Sequence, residues 1–167
     1  MKKRNSLHSG HYSLRRGRTS MPGCLYLVTT TTYQRDRLFV DFRKACAAAA
    51  CFEARSILQT SRMVAWVLMP DHVHWVVELE TEDVLSRLVQ RLKCASSRAV
   101  GAIDGVGCPV WASAFHDRAL RQEESLPDAV RYVMANPLRA GLVNNIGDYS
   151  FWNVVGIKDW SRSWIAP

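Results

Sequence analysis

The residues with the most chemical potential fall in two places. His72 and His74 flank Val73 in the apolar run Trp66 to Glu78, WVLMPDHVHWVVE. Alternate residues of a strand share a face, so both imidazoles look one way while Val73, Trp75 and Val77 look the other. Their Cα atoms would be about 6.5–7 Å apart, close enough for both rings to meet one metal ion or one phosphate. An alternating strand whose histidines merely face water carries the same pattern. Tyr132 and Asn136 form the second place. Four residues apart, they share an edge of a helix, with the Asn136 amide at its end. A half-buried surface tyrosine followed by a helix-stopping Asn reads the same way.

Elements that would position these groups follow from local pattern. Pro22-Gly23 reads as a turn, and Cys24 to Thr32 is β-branched and aromatic, a first strand. Asp41 caps a helix with an apolar stripe from Phe42 through Ala45, Ala49 and Phe52 to Ile57, ending near Gln59. Met63 to Met69 and His72 to Leu79 form an antiparallel hairpin about Pro70-Asp71. Thr81, Glu82 and Asp83 suit a helix start, and Leu85, Leu88, Leu92, Ala95 and Ala99 carry that helix to about Val100. A loop over Gly101 to Pro109 and a short strand at Arg118 to Leu120 follow. Ser125 and Asp128 make a capping pair for a helix to Asn136, where Pro137 disfavours continuation. This order predicts an α+β, ferredoxin-like antiparallel sheet with helices on one face, and the tyrosine-bearing helix over the other.

Bulk properties narrow the class. At 167 residues and 48% hydrophobic content the chain can bury the core of one domain. The longest apolar runs, Ala45 to Phe52 and Met63 to Met69, fall far short of the roughly 20 residues that span a bilayer, so a soluble, cytoplasmic protein is expected. Five cysteines without a Cys-x-x-Cys pair are expected to be reduced and mostly packed. Of the 22 Lys and Arg, six lie in the first twenty residues, which contain no acid; removing them leaves 16 against 15 acidic residues. The expected organisation is a basic arm over 1–20, a domain over 21–157 and a tail over 158–167. A basic arm on a neutral body suits a polyanion, nucleic acid before membrane, though a solvated tail has the same composition. Arg87, Arg91 and Arg98 fall near one line of the second long helix, where they suit phosphate contact or an ordinary solvated face.

Taken together, a His-apolar-His strand and a later tyrosine helix with a polar residue four positions on resemble the single-tyrosine HUH nucleases. Over nearly its whole length the chain is similar to the REP-associated tyrosine transposases. The segments that carry the likeness are LRRGRTSMPG, YLVTTTTYQRDRLF, WVLMPDHVHWVVEL, RLKCASSRAV, VWASAFHDRALR and YVMANPLRAGLV, with DYSFW near the end. Related insertion-sequence transposases usually carry Gln where this chain has Asn136, so Asn136-Pro137 looks like the REP-associated branch. The likeness does not extend over Ser161 to Pro167.

The resemblance implies a divalent ion, Mn2+ or Mg2+, held by His72, His74 and Asn136 and polarising a scissile phosphate. It implies Tyr132 as nucleophile, a 5′-phosphotyrosine intermediate and a free 3′-OH on the other fragment. The implied substrate is a single-stranded, REP-like DNA hairpin with a short 5′ guide, met partly by Arg15, Arg16 and Arg18 and by Arg87, Arg91 and Arg98. The protein would be cytoplasmic and nucleoid-associated, acting as a monomer or homodimer. His116 stays outside this ion shell. Two alternatives remain on the residues alone: a non-catalytic single-stranded nucleic-acid binder stacking bases on Tyr26 and Trp75, and a metal-dependent hydrolase using water.

Overall fold

The computed structural model describes residues 23–80, 82–105, 109–120 and 125–155. The arm expected over 1–20, with Arg15, Arg16 and Arg18, and the tail over 158–167 lie outside the described residues. In chain order the elements are β1 (Leu25–Thr31), α1 (Phe42–Ala49), α2 (Arg55–Leu58), β2 (Arg62–Met69), β3 (His72–Glu78), α3 (Leu85–Asp104), β4 (His116–Ala119), α4 (Leu126–Met134), α5 (Asn136–Arg139) and β5 (Trp152–Val154). The five strands form one sheet in the order β4-β1-β3-β2-β5, and every neighbouring pair is antiparallel. Because β1 and β2 both oppose β3, they run the same way on either side of it. The chain between them must therefore cross over the sheet, and α1 and α2 make that crossing.

Strand alternation divides the side chains between two cores. On one face Val28, Trp66, Leu68, Val73, Trp75 and Val77 pack against Ala45 and Ala48 of α1 and Leu85, Leu88 and Leu92 of α3. On the other, Leu27, Ala65, Val67, Met69 and Val76 pack against Val130, Val133 and Met134 of α4. The two-residue link Pro70-Asp71 sets Met69 opposite His72 and thereby fixes which set faces which helix. A slip of one residue would bury the histidines among α1 and α3 and turn Trp75 onto the α4 side.

Several expectations are corrected. The helix predicted from Asp41 to Gln59 is two helices broken between Ala49 and Arg55, with Ala54 extended at φ −67°, ψ 120°. The break lets Phe52 turn inward, fully buried, with its ring edge-on to Trp66 and Trp75 at 5.4 and 5.3 Å between centroids. Neighbouring Glu53 then accepts hydrogen bonds from Trp66 Nε1 and Asn153 Nδ2, both at 2.7 Å. Two aromatic contacts and a satisfied indole outweigh the helix preference of the alanine run. Helix α3 runs past Val100 to Asp104 and stops where Gly105 takes φ +66° as its left-handed cap, so the first part of the predicted loop is helical. Pro137 does not end the helical path, because after a break at Ala135 it sits in the first turn of α5, where its missing N–H costs nothing. Strand β5 was not anticipated. Of the described cysteines, Cys46 and Cys94 are exposed rather than packed.

Phe52 carries a stability prediction. Phe52→Ala is expected to destabilise the fold by about 3–5 kcal/mol, the usual cost of emptying an aromatic site that cannot collapse. A denaturant titration followed by tryptophan fluorescence checks it; a change below about 1 kcal/mol would mean Trp66 and Trp75 close the gap unaided.

Candidate functional site

β3 holds its two histidines as the alternation requires, on the α4 side of the sheet. In register, His74 lies between Thr29 of β1 and Val67 of β2, and His72 between Thr31 and Met69. The rings stand perpendicular with centroids 4.9 Å apart. Each Nδ1 is engaged: that of His72 with Asp71 Oδ1 at 2.6 Å, that of His74 with Thr29 Oγ1 at 2.8 Å. A histidine anchored through Nδ1 presents Nε2 as its remaining nitrogen, and this is how ligating histidines are usually held. Arg35 supports the Asp71 carboxylate from the other side at 3.2 Å. Burial works to raise the Asp71 carboxyl, but hydrogen bonds and charge from His72 and Arg35 hold it below the usual range. Burial, with the charges of His72 and Arg139, pushes His74 down to about 3, so its ring is neutral at pH 7 and keeps a lone pair.

Ser125 caps α4 by accepting from Asp128 N at 3.2 Å, as the capping pattern predicted. The buried stripe of α4 is Ala129, Val130, Val133 and Met134, which leaves Tyr132 on its outer side, 54% exposed. Tyr149 is its opposite: its hydroxyl donates to Leu68 O at 2.7 Å, and burial pushes it up to about 12. Of these two phenols Tyr132 is the one open to a substrate. Asn136, at the head of α5, turns its amide onto the end of α4. Its Nδ2 donates to Val133 O at 2.8 Å and Tyr132 O at 3.3 Å, while its Oδ1 accepts from Arg139 Nη2 at 3.0 Å. The fold thus gathers His72, His74 and the Tyr132 helix on one face, with Asn136 holding its own helix end.

Comparison with known proteins bears on the sheet that carries the histidines, and the family match ends before the Tyr132 helix. Residues 21–125 match the family model described as "Transposase IS200 like". The chain belongs to the IS200-like transposase family. It is also 28% identical over 88 residues to the REP-associated tyrosine transposase of Escherichia coli (strain K12), across 52% of this chain and 50% of that protein. The chain therefore matches about half the length of that curated relative. Its fold is like that of a REP-associated tyrosine transposase solved bound to a REP hairpin, with a TM-score of 0.62 and 21% identity over 81% of this chain and 79% of the other.

Elsewhere in the fold the arginines expected on one helix line separate by role. α3 packs on the sheet face opposite the histidines, so Arg87, Arg91 and Arg98 all lie in the other helix layer. Arg91 is a structural clamp: it donates to Ile57 O at 2.7 Å, to Leu58 O at 3.4 Å and to the Asp83 carboxylate. Burial alone would raise the Asp83 carboxyl, but Arg91, the Ser61 hydroxyl and Val84 N hold it low. Arg87 and Arg98 are exposed. Tyr26 and Trp75, the stacking platforms of the binding-module alternative, are 5% and 0% exposed and present no face to a base. His116 pairs with Thr29 in the row that contains His74, two strands away, roughly 10 Å at ordinary strand spacing. Sequence reasoning missed Asp71, Thr29 and Arg139. Asp71 was legible only as a turn residue, Thr29 has no local signal, and Arg139 sits one helical turn beyond Asn136.

Proposed function

We propose that the protein is a metal-dependent transesterase that cleaves and rejoins single-stranded, REP-like hairpin DNA through a 5′-phosphotyrosine at Tyr132. The observation that carries this reading is the shared face: two histidines anchored through Nδ1, one neutral by burial, beneath a helix that exposes one tyrosine. Two imidazole nitrogens and the Asn136 oxygen would form a mixed donor set that suits Mn2+ and tolerates Mg2+. Among the described residues no group of three His, Cys, Asp or Glu gathers, and the third protein donor of this reading is the Asn136 amide. When bound, the ion would draw charge from a phosphate oxygen and help the phenol release its proton.

The remaining chemistry belongs to the chain. Tyr132 Oη forms a bond to phosphorus as the bond from phosphorus to the 3′-oxygen breaks, and that oxygen leaves as a 3′-OH. The phosphotyrosine retains the bond energy, so a second 3′-OH can reverse the step and join strands without ATP. Asp71 and Thr29 keep the imidazoles oriented throughout. A hairpin is the favoured ligand because a relative of the same fold was solved on one. The test is a denaturing gel of the protein with Mn2+ and end-labelled single-stranded hairpin DNA. A covalent protein-DNA band supports transesterification; multiple-turnover cleavage without the band would replace it with hydrolysis by water.

The basic arm belongs to this reading as a binder of phosphates. Deleting residues 1–20, which carry Arg15, Arg16 and Arg18, is expected to weaken hairpin binding and flatten its salt dependence, by roughly 0.7 in log–log slope for each phosphate the arm had neutralised. Binding measured across a salt series checks this, and an unchanged slope would remove the arm from the interface.

A further inference from the structure

Arg139 stands where the two halves of the site meet. Its Nη2 donates to Tyr132 O and to Asn136 Oδ1, each at 3.0 Å, and its guanidinium carbon lies 4.2 Å from the centroid of the Tyr132 ring. Packing does not demand this placement, because Arg139 is exposed and belongs to neither core. Holding so long a side chain still costs rotamer entropy, which the backbone hydrogen bond alone would scarcely offset.

Asn136 Oδ1 is the atom an ion would take in the reading above, and a guanidinium bonded to that oxygen opposes a divalent cation there by like-charge repulsion at short range. We propose that Arg139 is a positioning residue that couples the ion site to the nucleophile. Before the ion binds it keeps Asn136 Oδ1 and the Tyr132 ring together, and it yields the oxygen when a divalent cation is held by His72, His74 and Asn136. The ring contact does not compete with the ion. Arg139 therefore continues to fix the tyrosine's direction and keeps a cation beside the phosphate that becomes attached to it. The inference rests on the metal-dependent reading of this face.

Two opposed effects separate this role from a brace. Mn2+ binding to the full chain without DNA, followed by the paramagnetic resonance of free Mn2+, is compared for parent, Arg139→Gln, Arg139→Lys and the double variant His72→Ala/His74→Ala. Single-turnover hairpin cleavage is measured beside it at saturating Mn2+. Arg139→Gln is expected to bind Mn2+ about three- to tenfold more tightly, since a competing charged hydrogen bond is gone, yet to cleave at least about tenfold more slowly. Arg139→Lys keeps the charge without the planar fork and should lie between parent and Gln on both measures. A residue that only braced the helix end would not tighten metal binding while slowing cleavage. Histidine-dependent Mn2+ binding that Arg139→Gln leaves unchanged or weakened overturns the coupling while the metal reading stands. So does tighter binding with an unchanged rate, or a Lys variant no nearer the parent than Gln. Parent binding that is absent, or indifferent to the histidines, removes the metal reading and the coupling with it.

Discussion

Tyr132→Phe should retain hairpin binding and lose the covalent protein-DNA product, with cleavage falling on the order of a thousandfold or more, as when a reacting group is deleted. Only an oxygen is removed, from a ring that is 54% exposed and outside both cores, so folding is not in question. The informative control is Tyr33→Phe. Tyr33 is also exposed, at 45%, and follows Thr32, whose amide donates to Asp71 O at the turn of the histidine hairpin. Loss of the band in the Tyr33 variant and its survival in the Tyr132 variant would transfer the nucleophile from α4 to the segment after β1. Survival in both would mean that neither tyrosine is the nucleophile.

The double variant His72→Ala/His74→Ala should abolish Mn2+ binding and cleavage together. Outer partners of ligating histidines alone are worth about 10–100-fold in affinity, and both ligands at once should exceed the upper figure. Binding by calorimetry or resonance, beside the gel, checks it; full activity without either imidazole would sink the ion site. Single replacement of His74 has a second consequence, in stability. Its pKa is about 3 in the folded state against an ordinary value of 6.5. Between those values the unfolded chain binds the proton that the folded chain refuses, so stability should fall as pH is lowered from about 6.5 toward 3. Removing the imbalance, His74→Ala should flatten that slope between about pH 6 and 5, above the range where Asp71, Asp83 and Asp128, all held low, begin to matter. Unfolding midpoints across pH measure it, and an unchanged slope would mean His74 takes its proton in the folded state.

How far the site could be read beforehand differs from residue to residue. His72 and His74 were legible because their placement needs only alternation and a two-residue turn, both local properties. Tyr132 was legible because the Ser125 cap and the apolar stripe of α4 set the helix phase. The partners of Arg91 were not legible because an arginine on a helix flank looks the same in sequence whether it meets phosphate, solvent, or two carbonyls from α2 and the Asp83 carboxylate. The rupture after Ala49 was hidden for a related reason: an alanine run prefers helix, and only the space between Trp66 and Trp75 gives Phe52 a stronger claim. Strand β5 spans three residues, too few for a period, and forms because β2 presents an unpaired edge to it.

By itself, then, the sequence determined the strand faces, the capped tyrosine helix and the charge of the arm, all of which follow from neighbours within one or two turns. Tertiary structure alone decided that the first predicted helix breaks to bury Phe52, that Arg91 turns back onto α2 and Asp83, and that Arg139 joins Tyr132 to Asn136. Those outcomes depend on long-range packing and on competition for shared partners. A single carbonyl, carboxylate or amide oxygen goes to whichever donor the fold brings nearest, and no local pattern names that donor.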